Sequence, residues 1–269
     1  MLMVDSSPEA VTPLTEESAI ASLQQEDLSL RYYAAWWLGK FRIRTKAAVN
    51  ALIVALADED HRTELGDYPL RRNAARALGK LGDKSAIPSL IQSLECSDFY
   101  VREAAAQSLE MLGATAAVPA LKLLLKDGVE ATKQVTGRPH AVEPCEAVIE
   151  ALGSLGVKET VLLIEPFLNQ PIVKVQYAAL RALYQLTQKD AYGQRLVDAL
   201  NGYDVKLRRV ALTDLGAIGY FPAAEAIAKC SVESSFKLIA LKGLLTHLAP
   251  EANLSEPAIE IMSLMDSLL

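Results

Sequence analysis

Apolar residues along this chain recur at helical spacing in short bursts, and the bursts themselves recur. In the stretch Leu70 to Cys96, the residues Leu70, Ala74, Ala77, Leu78 and Leu81 fall on one face of a helix. Gly82 ends that helix. Pro88 opens a second one, where its missing N–H costs nothing, and Ile87, Leu90, Ile91 and Leu94 supply the second apolar stripe. Small Ala74 and Ala75 in the first helix allow another helix to approach closely.

The same cassette returns seven times. Its copies are LRYYAAWWLG from Leu30, LRRNAARALG from Leu70, VREAAAQSLE from Val101, PCEAVIEALG from Pro144, VQYAALRALY from Val175, LRRVALTDLG from Leu207 and FKLIALKGLL from Phe236. Their second residues stand at 31, 71, 102, 145, 176, 208 and 237, giving steps of 40, 31, 43, 31, 32 and 29. A period near 31 built from paired amphipathic helices predicts an all-α fold, a right-handed α-α superhelix of about seven HEAT-like repeats. Neither helix of a pair can bury its apolar side alone, so stacking must close the core. That accounts for 51% hydrophobic residues in a chain with no apolar run long enough to cross a bilayer. Residues 15–269 are expected to form one solenoid, and residues 1–14 a flexible polar leader without a signal pattern, which places the protein in the cytoplasm.

An acid precedes the aligned base by four residues in five copies: Asp27/Arg31, Asp67/Arg71, Asp98/Arg102, Asp204/Arg208 and Glu233/Lys237. At a helix start the acid can cap free N–H groups, and the base is expected to bond its own acid or that of the next repeat. With 27 basic against 33 acidic residues and no basic stripe beyond this ladder, nucleic acid is not an expected partner. Cys96, Cys145 and Cys230 show no paired spacing, and His61, His140 and His247 are equally dispersed, so neither a metal site nor disulfides are expected.

The period breaks twice. Extra residues at about 58–69 and 126–144 fall between the second helix of one repeat and the first of the next, so both should emerge on the same edge. They concentrate His61, Arg62, Glu64, Asp67, Tyr68, Lys133, Arg138, His140 and Glu143. Tyr32, Tyr33, Trp36, Trp37 and Phe41 crowd into ten residues of a chain that is only 6% aromatic. One face of that helix should fill the core; the other is expected to seat a ligand or a partner. Cys145 follows Pro144 at a helix start, where the dipole lowers a thiol pKa, but a packed structural cysteine is the simpler expectation.

The runs RYYAAWWLGKFRI and HRTELGDYPLRRNAARALGKLGD, with the repeats behind them, resemble the E subunits of the cyanobacterial E/F-type bilin lyases. The resemblance spans the chain from about Glu16 onward. It implies a heterodimer with an F-type HEAT-repeat subunit that attaches phycocyanobilin through a thioether to a cysteine of the phycocyanin α subunit. The acceptor thiolate would add to the ethylidene group on ring A, so the nucleophile belongs to the acceptor and no cofactor is needed. The bilin would be the substrate. On that reading Arg62, Arg71 and Arg72 are candidate partners of the propionates. Glu64 and Asp67 are candidate acids toward the pyrrole nitrogens, Tyr68 a donor to a ring carbonyl and His140 a further bilin contact. Trp36 and Trp37 would stack on the bilin or, with Tyr32 and Tyr33, face the partner. A non-catalytic phycobiliprotein scaffold and the E subunit of a phycoerythrocyanin lyase-isomerase are the alternatives; the aromatic run argues against the scaffold.

Overall fold

The structure, a computed structural model, describes residues 14–248 and 255–269. After a first short helix α1 (Glu16–Ser22), seven helix pairs follow. In each, a first and usually longer helix precedes a second, shorter one: α2 (Leu28–Lys40) with α3 (Lys46–Ala55), α4 (Pro69–Leu81) with α5 (Ile87–Ser93), α6 (Phe99–Met111) with α7 (Val118–Leu124) and α8 (Cys145–Ser154) with α9 (Val161–Ile164). The series continues with α10 (Val173–Thr187) and α11 (Asp190–Ala199), α12 (Val205–Ile218) and α13 (Ala224–Lys229), and α14 (Ser234–Thr246) and α15 (Glu256–Asp266). The result is the all-α solenoid expected from the period. Of the expected leader, only Leu14 lies within the described residues, and it packs against the core.

Local chemistry sets each pair. Gly82 ends α4 with φ 76°, its N–H donating to the Leu78 carbonyl, and Pro88 sits in the first turn of α5. The even-numbered helices pack directly on one another from α2 to α14, whereas the others pack mainly against them. We term that tightly packed layer the inner layer. Small residues permit the approach: a Cβ at Gly153 would stand 2.6 Å from the Cα of Ala182, and one at Gly79 2.6 Å from Ser108 Oγ. Ser108 Oγ donates to the Ala75 carbonyl at 2.8 Å across that contact.

The acid and base ladder divides its labour differently from the expectation. Asp27, Asp98 and Asp204 accept N–H groups of their own helices, at 2.8, 2.7 and 2.7 Å. With those oxygens engaged, the bases turn to the free carbonyls that close the preceding short helix. Arg31 Nε donates to Leu23 O at 3.0 Å, Arg102 Nη1 to Cys96 O at 2.7 Å, Arg208 Nη1 to Gly202 O at 2.6 Å, and Lys237 Nζ to Ala228 O at 3.0 Å. Each base thus ties one repeat to the end of the last. Asp67 and Glu233 cap nothing with their side chains; they pair with Arg138 and Arg209.

Gly153→Val should cost about 2–3 kcal/mol of unfolding free energy, because the added atoms meet helix backbone and not a flexible side chain. Chemical denaturation monitored by circular dichroism reads this directly. An unchanged midpoint would mean that the inner helices are not held by close packing.

Candidate functional site

The two insertions meet, as their common register requires. In the first, Thr63 and Asp67 close a tight turn, with Thr63 N–H donating to Asp67 O at 2.9 Å and Asp67 N–H to Thr63 Oγ1 at 3.0 Å. From the second, Arg138 reaches across, its Nη1 lying 3.1 Å from Asp67 Oδ1 and its Nη2 donating to the Leu65 carbonyl. Arg102 anchors the far end of the second insertion through Glu143 Oε2 at 2.9 Å and Val142 O at 2.7 Å.

Several expected ligand groups are engaged in holding this junction. Tyr68 is only 6% exposed; its hydroxyl donates to Glu59 Oε2 at 3.1 Å, and Arg62 and Arg71 lie over its ring at 5.0 and 4.2 Å. Arg71 also binds the Glu59 carboxylate and the Asp58 carbonyl, which holds the Glu59 carboxyl below the usual carboxylate range. Tyr68, Arg71 and Asp67 are therefore structural in this geometry. Glu64 is exposed, and its side chain has no hydrogen-bond partner among the described residues. His61 lies under Tyr32, ring centroids 6.5 Å apart, with its pKa lowered by burial.

The aromatic run divides between core and solvent, as expected. Trp37 is half-buried, packing on the core and against Phe41 at 5.0 Å. Tyr33 and Trp36 stack on each other in solvent, centroids 5.4 Å apart and planes 29° apart, with Trp36 42% exposed. Leu30 and Phe41 extend this exposed apolar surface.

His140 sits in a second aromatic group. It stacks on Phe99 at 4.6 Å and meets the Tyr100 ring edge-on at 5.5 Å, and its Nδ1 lies 2.7 Å from the Ala141 carbonyl, so that nitrogen carries the ring proton. Arg72 lies over the opposite partner, 5.6 Å from the Tyr100 ring, with its buried Nε unpaired. Beside them opens a cavity of about 320 Å³ lined in part by Glu103, Glu146 and Cys145. Burial raises both carboxyls, and pushes the Cys145 thiol up to about 12. The helix start does not activate that thiol, because desolvation of the thiolate outweighs the dipole.

The third and seventh residues of each cassette were not singled out as functional by sequence reasoning, Tyr32, Trp36 and Arg72 excepted. They lie one helical turn apart: Tyr32/Trp36, Arg72/Arg76, Glu103/Gln107, Glu146/Glu150 and Tyr177/Arg181 in successive copies. Close packing of the inner helices brings several of them into contact between repeats. Arg76 lies 3.7 Å from Glu103. Arg181 bonds Glu110 at 2.8 Å and stands 3.6 Å from both Glu150 and Asp214. Burial drives the Glu150 carboxyl up to about 8 and that of Asp214 to about 7; Arg181 opposes the rise, and neighbouring acids add to it. The signal was present as polar positions four apart within an otherwise apolar cassette.

A solenoid of paired helices with a charged inner row and two docked insertions defines a HEAT-like repeat protein. Residues 63–136 match the family model for HEAT repeats, and residues 30–58 that for the PBS lyase HEAT-like repeat. The chain is 65% identical over 260 residues to phycocyanobilin lyase subunit alpha of Nostoc sp., covering 95% of this chain and 94% of that one. It is 42% identical over 269 residues to the bilin biosynthesis protein PecE of Nostoc sp., covering 95% and 96%. Among solved structures, a chain in the complex of CpcE and CpcF of phycocyanin lyase from Nostoc sp. matches with a TM-score of 0.92 and 63% identity, covering 100% of both chains. This chain belongs to the family of phycocyanobilin lyase alpha subunits. No described helix is long and apolar enough to cross a membrane.

Arg138→Ala should uncouple the insertions while costing only about 1 kcal/mol, the scale of a partly exposed ion pair. Hydrogen exchange should then quicken at residues 65–67 and 138–141 with little change in the inner helices. Uniformly faster exchange would contradict a local clasp.

Proposed function

We propose that this chain is the E-type subunit of a heterodimeric lyase that attaches phycocyanobilin to a cysteine of the phycocyanin α subunit. The observation that carries the reading is the full-length similarity to phycocyanobilin lyase subunit alpha, 65% identical against 42% for PecE. It acts with an F-type subunit, takes the bilin as substrate without a cofactor of its own, and works in the cytoplasm.

The geometry supports a division of roles. A linear tetrapyrrole is a long conjugated strip carrying two propionates, and the inner row offers guanidinium groups at Arg72 and Arg76, with Arg62 at the rim. Phe99, Tyr100 and His140 form a flat-sided aromatic wall beside it. The exposed Tyr33–Trp36 stack, with Tyr32 beside it, is the surface offered to the F-type partner, and Trp37 supports it from within.

The reading asks no nucleophile of this chain. Burial raises the thiols of Cys145 and Cys230, so neither is a ready thiolate near neutral pH. The acceptor's cysteine attacks the ring A ethylidene, and this subunit binds, orients and polarises the bilin.

Co-expression of this chain, a cognate F-type subunit and the phycocyanin α subunit in a bacterium making phycocyanobilin should give an acceptor that fluoresces with zinc after denaturation, only when both lyase chains are present. The denatured acceptor should carry an unisomerised bilin. A dark acceptor beside an intact heterodimer would overturn the assignment. Within that assay, Trp36→Ala should abolish co-purification with the F-type chain, whereas Arg72→Ala should leave pairing intact and weaken bilin binding at least roughly tenfold, the loss of one charge-assisted contact. The reverse pattern would exchange the two surfaces.

A further inference from the structure

We propose that Glu150 is the acid that protonates the bilin in this lyase, with Asp214 and Arg181 as the residues that position it and retain its proton. The proposal rests on the lyase reading above and locates its acid away from the first insertion, where Asp67 is held by Arg138.

Three inner helices converge on one guanidinium. Arg181 of α10 bonds Glu110 of α6 at 2.8 Å, and Ser154 Oγ completes that carboxylate's shell at 2.6 Å. Glu150 of α8 and Asp214 of α12 stand 3.6 Å from the other terminal nitrogen, beyond hydrogen-bond length. Glu146 lies one turn before Glu150 on α8. One cation therefore faces one buried and two partly buried carboxyls, and a shared proton is the electrostatically balanced state.

The cluster also keeps unused hydrogen-bonding capacity. Asp214 has a side chain only 3% exposed, yet its Oδ2 has no partner, and neither do Arg181 Nε and Gln185 Oε1. Such groups are costly to bury and call for a polar occupant among them. Glu150 and Glu110 each leave 18% of the side chain exposed, but Arg181 and Ser154 bond Glu110, so Glu150 is the partly exposed carboxyl whose oxygens stay open to a ligand.

The step balances without any further reagent. The Glu150 proton passes to the basic nitrogen of the tetrapyrrole, giving a conjugated cation. The acceptor's thiolate sulfur forms a bond to the ethylidene carbon, and the electron pair of that double bond moves into the cation. The proton released when the thiol ionised returns to the Glu150 carboxylate. A proton then shifts from the nitrogen to the ring carbon of the former ethylidene bond, so that hydrogen and sulfur have added across one carbon–carbon double bond.

The test uses the purified heterodimer with phycocyanobilin and the phycocyanin α subunit. Wild type should bind the bilin with the long-wavelength absorption of its cation, and kcat/KM for ligation should fall as pH rises through about 8, where the Glu150 acid form is lost. Glu150→Gln should bind bilin within a few-fold of wild type, lose the cation band and ligate roughly 100-fold more slowly. A Glu150→Gln complex with the cation band or the wild-type rate overturns the proposal. Should that variant fail to pair, Asp214→Asn decides the matter. Removing its repulsion makes Glu150 ionise more readily, so the alkaline limb should move to lower pH; an unmoved limb overturns the proposal. Absence of ligation by the wild-type complex would instead defeat the lyase reading on which the proposal rests.

Discussion

Close approach of the inner helices is what the rest of the molecule depends on. Where Gly153 meets Ala182 and Gly79 meets Ser108, the backbones lie too near to admit another carbon atom. This contact fixes the curve of the solenoid. It also brings residues from three other helices within reach of a single side chain, as around Arg181. A looser stack would leave the same polar residues as separate solvated charges. Here they form one buried network whose proton affinities differ from those of free carboxyls.

A second layer of interactions transmits that order to the surface. The ladder bases bind the carbonyls that end each preceding short helix, so every repeat is tied at its rim as well as through its core. Arg102 uses the same position to hold the second insertion, and Arg138 carries the link on to the first. The insertions are thus extensions of the repeat framework. Tyr68, with Arg62 and Arg71 over its ring, is the keystone of their junction, which explains why so many polar residues gathered there without being free for a ligand.

The fold was legible because the cassette carries its own punctuation. Gly82, Pro88 and the small residues of the first helix state the repeat, and the breaks in the 31-residue period located both insertions and their common edge. The partners of the ladder bases were not legible, since the carbonyls they bind are identical in every residue type and only geometry selects them. For the same reason Tyr68 and Arg71 looked like ligand groups: a charged or phenolic residue in a loop carries no mark of its neighbours. The inner row was written in the sequence at the third and seventh cassette positions, but helical periodicity alone does not say which polar face looks inward. That assignment needed the packing of consecutive repeats. Cys145 was legible as the packed cysteine that the sequence made the simpler expectation, and its burial raises the thiol despite the helix start.

In the proposed complex the inner row between α4 and α12 holds the tetrapyrrole, with its acids on the pyrrole nitrogens and its guanidinium groups on the propionates. The most direct measurement is a crystal structure of the heterodimer with phycocyanobilin bound. The account predicts bilin density along this row, a propionate within hydrogen-bond distance of Arg72 or Arg76, and Glu150 within hydrogen-bond distance of a pyrrole nitrogen. Density on the outer, short-helix side, or a bilin held by the partner subunit alone, would contradict it.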